Sequence, residues 1–137
     1  MTELFIHSSA FEVLNQVDHL EHSHAIEFVQ SLLSDSLTIF TSVDEVVRAA
    51  STIKREVGEA KEEQFLSLVF SGGIRFLYDD HSNLQNVTEV YFSLKKKEKL
   101  DVSDVQCAML MKRYGVKHML AFNSELSKLG VIVVPKT

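Results

Sequence analysis

Apolar residues along this chain fall into two alternating patterns. Short bulky runs, Leu4 to Ile6, Leu37 to Phe40, Ile74 to Tyr78, His118 to Phe122 and the closing stretch Val131 to Pro135, have the length and β-rich character of strands. Between them apolar positions recur at helical spacing. Phe11, Val13, Leu14 and Val17 predict a helix after the Ser8-Ser9 pair, which reads as its cap, and Ala25, Phe28, Val29, Leu32 and Leu33 predict a second over 24–33. Thr41 or Ser42 caps a third, with Val43, Val46, Val47 and Ala50 on one face. Gly58 interrupts it, and Phe65, Leu66, Val69 and Phe70 carry a fourth up to Ser71-Gly72-Gly73.

The second half repeats the rhythm. A polar loop over 79–83 leads into a helix bearing Val87, Val90, Tyr91 and Leu94. Ser103 can then cap a helix bearing Val105, Ala108, Met109 and Met111, for which Gly115 supplies the left-handed stop. Asn123-Ser124-Glu125 stands between the next strand and another helix. Helices between successive strands require parallel pairing, because a parallel connection needs a crossover of that length. The expected architecture is a three-layer α/β/α sandwich around a central parallel five-stranded sheet, with residues 1–137 forming one domain. In such sheets sites are built where strands end and helices begin, which draws attention to Asp104 and to the polar group Asn123-Ser124-Glu125.

Composition narrows the function classes. The chain has 137 residues with a formal charge of −5, so nonspecific binding driven by clustered Lys and Arg on nucleic-acid phosphates is not expected from charge alone. No apolar run approaches a membrane span and the N-terminus has no basic region before its apolar residues, so a cytoplasmic protein is expected. Cys107 is the single cysteine and lies on an amphipathic helix, which leaves no disulfide or cysteine metal cluster and reads as a buried, inert thiol. The phosphate-loop, dinucleotide, nucleophile-elbow and CxxC patterns are all missing. His19, His22 and His24 form HxxHxH, but on one helix the third imidazole points away from the first two, and the Lys95 to Lys99 run lacks interleaved aromatics.

Four short motifs stand in a telling order. They are Leu4-Phe5-Ile6-His7-Ser8-Ser9-Ala10; Thr41-Ser42-Val43-Asp44-Glu45-Val46-Val47; Leu100-Asp101-Val102-Ser103-Asp104 with Met111 to Val116; and Ala121-Phe122-Asn123-Ser124-Glu125-Leu126, followed by Leu129-Gly130-Val131 and Val133-Val134-Pro135. In order and spacing these resemble the PIN domain, a family of compact metal-dependent ribonucleases that includes many toxins. The resemblance makes Glu45 and Asp104 the second and third acids of that family's cluster. It places His7 where the first acid usually stands and Asn123 where the last one does, with Glu125 as an acidic neighbour.

The resemblance implies an endoribonuclease acting on RNA phosphodiesters, a Mg²⁺ or Mn²⁺ cofactor, an antitoxin-like protein partner and a homodimer. Glu45, Asp104 and Glu125 would then be metal ligands, with His7 and Asn123 completing the catalytic set. Hard divalent ions are held by oxygen, and imidazole suits them poorly, so His7 weakens such a site. Two readings are therefore carried forward: a metal-dependent ribonuclease with a weakened acidic cluster, and a catalytically inactive PIN-like protein that binds RNA or another protein. Both require His7, Glu45, Asp104 and Asn123 to gather in space.

Overall fold

The computed structural model describes residues 1–32, 36–79 and 84–136. Leu33 and most of the expected polar loop over 79–83 lie outside these residues. The elements run β1 (Glu3–Ile6), α1 (Ser8–Leu14), α2 (His22–Leu32), β2 (Thr38–Thr41), α3 (Val43–Glu56), α4 (Glu59–Val69), β3 (Ile74–Phe76), α5 (Leu84–Ser93), α6 (Val102–Arg113), β4 (His118–Leu120), a 3₁₀ helix (Ser124–Leu129) and β5 (Ile132–Val134).

All five strands pair in parallel, in the order β3-β2-β1-β4-β5. Side chains of β1 alternate across the sheet as strand geometry demands. Leu4 and Ile6 join a core with Ala10, Phe11, Val46, Ile53 and Phe65, whereas Phe5 joins the opposite core with Val87, Val105, Met111, Met119 and Leu126. Helices α1, α3 and α4 therefore cover one face and α5 and α6 the other. This is the expected three-layer α/β/α arrangement.

Strand order reverses between β1 and β4, the position at which open α/β sheets form a crevice at the strands' carboxyl ends. His7 follows β1 directly, and Asn123 lies three residues beyond β4. Thr41, the last residue of β2, is fully buried and donates its hydroxyl to the Ile6 carbonyl at 2.8 Å, pinning the ends of the two strands together. At the far end of α6, Gly115 takes φ +73°, while Val116 N–H returns to the Met111 carbonyl at 2.9 Å; this is the left-handed helix stop.

Several boundaries differ from expectation for local reasons. The cap of α6 is Asp101, not Ser103: Asp101 Oδ1 accepts from Asp104 N–H and Asp104 Oδ2 accepts from Asp101 N–H, both at 3.0 Å, so two orphan donors are satisfied reciprocally. Likewise α1 is capped by His7, whose ring nitrogen accepts from Ser9 N–H, while Ser8 is already helical. Strand β4 stops at Leu120 because Phe122 N–H leaves the ladder for the Ser9 hydroxyl. The last helix is a 3₁₀ segment, capped by Asn123 and ended by Gly130 at φ +83°.

Phe5 lies wholly inside the sheet's central strand. Phe5→Ala is expected to lower the unfolding free energy by about 3–5 kcal/mol, read as a reduced midpoint in urea titration with an unchanged slope.

Candidate functional site

Three of the sequence-selected residues converge at the crevice. His7 leaves the end of β1, Glu45 sits in the first turn of α3, and Asp104 sits in the first turn of α6; they are 3%, 1% and 2% exposed. The His7 Nε2 atom lies 2.7 Å from Asp104 Oδ1 and 3.4 Å from Glu45 Oε1. Glu45 Oε1 also accepts from Ser8 N–H at 2.9 Å. Helix α1, beginning straight after β1, thus points a backbone donor at the acid delivered by α3.

The hydrogen-bond pattern assigns the imidazole tautomer. Nδ1 accepts from Ser9 N–H at 3.0 Å and lies 2.8 Å from Ser9 Oγ, which itself accepts from Phe122 N–H at 2.9 Å and keeps its proton free to donate to Nδ1. Nδ1 is therefore the acceptor, and the ring proton sits on Nε2, donated to Asp104. The chain of hydroxyl, imidazole and carboxylate has the outline of a nucleophile relay. Here its hydroxyl and imidazole are both bound to backbone amides, and together they tether α1 to Phe122, two residues beyond β4.

Arg48 was not singled out by sequence. It stands one turn after Glu45 on the same face of α3, a spacing at which side chains meet. Its Nη1 lies 3.1 Å from Asp104 Oδ1, 3.1 Å from Ser103 Oγ and 3.6 Å from Glu45 Oε2, while Nη2 lies 3.2 Å from Asp101 Oδ2. The Asp101 side chain, likewise not selected from sequence as a site residue, holds this guanidinium as well as capping α6.

Burial pushes the Glu45 carboxyl above its ordinary value of 4.5; His7, the Ser8 N–H and Arg48 oppose that push without cancelling it. Asp104 goes the other way. Burial raises it, but hydrogen bonds from His7, the Asp101 N–H and Arg48 outweigh burial and hold it down to about 2 from an ordinary 3.8. Two buried acids a short distance apart are thus driven in opposite directions, because one is fully hydrogen-bonded and the other is not. Glu45 Oε2 is buried without a hydrogen-bond partner.

The remaining candidates stand further out. Asn123 lines the same open cavity of about 360 Å³ as His7, Ser9, Arg48 and Asp104. Its Nδ2 donates to the Lys99 carbonyl at 2.6 Å and its Oδ1 accepts from Glu125 N–H at 3.1 Å, so both ends of the amide are committed. Glu125 is turned to the Lys99 N–H at 2.8 Å and the Lys128 ammonium at 3.0 Å and does not line that cavity. Asp44 is exposed on α3. Cys107 is buried and its thiol is pushed well up by that burial. His22 Nδ1 is bound to the Val13 carbonyl and His19 Nδ1 accepts from Glu21 N–H, so two members of HxxHxH serve local structure.

A Mg²⁺ or Mn²⁺ ion, implied by the resemblance, can be tested against this donor set. Among the described residues no group of three or more His, Cys, Asp or Glu is disposed to hold a metal. Nε2 of His7 presents a proton rather than a lone pair, and moving that proton to Nδ1 would set it against Ser9 N–H. Asp104 Oδ1 is shared by imidazole and guanidinium, and Oδ2 is committed to the helix cap. The residues present do not fit a divalent ion.

Among solved structures the chain is similar to the toxin VapC20 of Mycobacterium tuberculosis, described as cleaving the Sarcin-Ricin loop. The match has a TM-score of 0.83 at 16% identity and covers 94% of this chain and 96% of that one. At that identity the likeness shows the fold, which is PIN-like. No family model matches the sequence, and no curated protein matches it. No helix among the described residues is long and apolar enough to cross a membrane.

The opposed acids give a pH signature. A carboxyl held below its unfolded value stabilises the fold above that value and loses the contribution as pH falls through the folded one. Unfolding free energy is expected to drop between about pH 4 and about pH 2 through Asp104, and Asp104→Asn should flatten that limb. Glu45 has the reverse sign: its contribution is complete below 4.5 and declines as pH rises through the higher folded value. Glu45→Gln should remove that decline. Urea titrations across pH check both.

Proposed function

We propose that this chain is a PIN-fold binding protein in which the acidic pocket is closed by the protein's own groups, and that its partner is another protein. The single observation carrying this reading is the His7 ring, which donates Nε2–H to Asp104 while Ser9 holds Nδ1 as an acceptor. Where the resemblance expects a carboxylate, this chain supplies a proton donor. Phosphodiester hydrolysis of the kind implied by the resemblance needs an ion to activate water and neutralise charge on the phosphoryl group. With the donor set unsuited to that ion, no hydrolytic step follows from these residues.

The partner class follows from the surface around the pocket. Glu12, Glu98 and Asp101 line its mouth together with Arg48 and Lys99, and the whole chain carries −5, a poor match for a polyanion. Alongside it, Val47, Leu84 and Val102 are exposed on the walls of a second cleft between α3, α5 and α6. Exposed apolar side chains grouped beside a polar rim suit a protein partner better than RNA. A partner of the antitoxin kind, or a second copy of the chain, meets that description.

One observation favours the alternative, a metal-dependent ribonuclease. Glu45 Oε2 is a buried carboxylate oxygen without a hydrogen-bond donor, as a metal ligand left alone would be. In that reading Glu45 and Asp104 would carry Mg²⁺ or Mn²⁺, and Glu125 would have to leave Lys128 to join them.

Tag-free protein incubated with a sarcin-ricin-loop hairpin and with unstructured RNA is expected to leave both intact in Mg²⁺, Mn²⁺ and Zn²⁺. Metal-dependent cleavage that disappears in Glu45→Gln and Asp104→Asn would replace this reading with the ribonuclease. RNA binding without cleavage in mobility-shift assays at physiological salt would change the partner class, and sedimentation would reveal whether a second copy is the partner.

A further inference from the structure

Residues 84–137, which supply α5, α6 and the 3₁₀ helix, hold nine of the chain's 14 Lys and Arg but five of its 19 Asp and Glu, which leaves +4 there and −9 on residues 1–83. An acidic chain therefore keeps a basic side. On that side an open cleft of about 420 Å³ lies between α5, α6 and the 3₁₀ helix. We propose that this cleft is a docking groove for an acidic amphipathic helix of a partner protein, one whose apolar face is flanked by Asp or Glu. None of its lining residues lines the acidic pocket or the cleft of Val47, Leu84 and Val102, so this surface does not depend on how that pocket is read.

The floor of the groove is apolar by helical periodicity. Val90 and Leu94 stand one turn apart on α5, and Val105, Ala108 and Met109 recur at three and four residues on α6, so each helix turns a stripe toward the cleft. Leu129 adds to it from the 3₁₀ helix. Leu94 and Met109 pack against the core only in part, and Val90 is exposed. Apolar surface of two neighbouring helices is thus left for a third helix to cover, the geometry in which amphipathic helices are recognised.

The rim is basic. Lys112 continues the α6 stripe by one more turn, and its ammonium lies over Gly130, where a Cβ would stand 2.9 Å from Nζ. No Asp or Glu lines the cleft. Lys128 is paired with Glu125 at 3.0 Å, but Lys112 has no acidic partner among the described residues, and neither do Lys95 and Lys96, exposed directly after Leu94. Unpaired ammonium groups beside an aliphatic floor complement a surface with an apolar centre and negative flanks. Nucleic acid is a poorer match, because the lining has no aromatic ring for a base to stack on and no arginine to fork onto a phosphate.

The test measures fluorescence anisotropy of two synthetic helical peptides added to the full chain, one with Leu at helical spacing and Glu elsewhere, the other with Lys in place of Glu. The Glu peptide should bind at least about tenfold more tightly than the Lys peptide, with the advantage shrinking as salt rises. Lys112→Glu combined with Lys128→Glu should remove that preference, Arg75→Glu on β3 should leave it intact, and replacing the peptide's Leu by Ser should abolish binding. Both lysines are exposed, so the doubly substituted chain should keep its thermal midpoint. Amide resonances of Val90, Leu94, Met109 and Leu129 should move as the Glu peptide is added to the unmodified chain. No binding of the Glu peptide up to about 1 mM, a preference that survives the two lysine substitutions, or resonance shifts confined to other faces overturns the proposal. Competitive displacement of the peptide by oligouridine also overturns it, making the groove a nucleic-acid site. So does self-association in sedimentation that the lysine substitutions abolish, which would make the groove a contact between copies.

Discussion

The hydrogen bond from His7 Nε2 to Asp104 Oδ1 joins the end of the central strand to the start of α6 across 97 positions of sequence. Each partner is held from behind. Ser9 fixes the imidazole, the reciprocal cap with Asp101 fixes the carboxylate, and both supports use backbone amides that cannot rotate away. A buried charge of this kind is tolerated only when its lone pairs are occupied. Asp104 meets that condition through His7, Arg48 and Asp101. The crevice at the strand-order reversal is consequently packed with mutually satisfied groups, Glu45 Oε2 excepted.

Much of the fold could be read from the sequence because two periods of hydrophobicity are cleanly separated in it. The alternation of Leu4, Phe5 and Ile6 and the helical spacing of Val46 and Ala50 each correspond to a face of the sheet or a helix, whereas Val43 and Val47, read on that same face of α3, are exposed. Boundaries were harder, since capping is decided by which polar side chain reaches an orphan amide first. Asp101 prevailed over Ser103 by offering a reciprocal pair, and His7 prevailed over Ser8 and Ser9 because its ring nitrogen accepts from the Ser9 N–H two residues on, leaving both serines inside the helix.

Within the site, the gathering of His7, Glu45 and Asp104 was legible from motif order, whereas Asn123, expected in the same cluster, lines the cavity further out with both ends of its amide committed. Arg48 was not, because an Arg three positions after a Glu is so common on exposed helices that it carries no distinctive mark. The signal that could have found it is combinatorial: Glu45 was already assigned inward, so the residue on the same face one turn later had to face the same crevice. Glu125 shows the converse error of proximity in sequence. Lying two residues from Asn123, it is turned by the tight 3₁₀ geometry towards Lys128 and the Lys99 amide.

The placement of β1 in the middle of the sheet sets the order in which this protein can be completed. One neighbour, β2, is translated soon afterwards, but the other, β4, is contributed by residues 118–120. While the polypeptide is still emerging from the ribosome, Phe5 and its strand edge have no β4 to cover them. A nascent chain must therefore shield an open, apolar sheet edge for most of its synthesis, the circumstance in which chaperone capture or mispairing competes most strongly with productive closure.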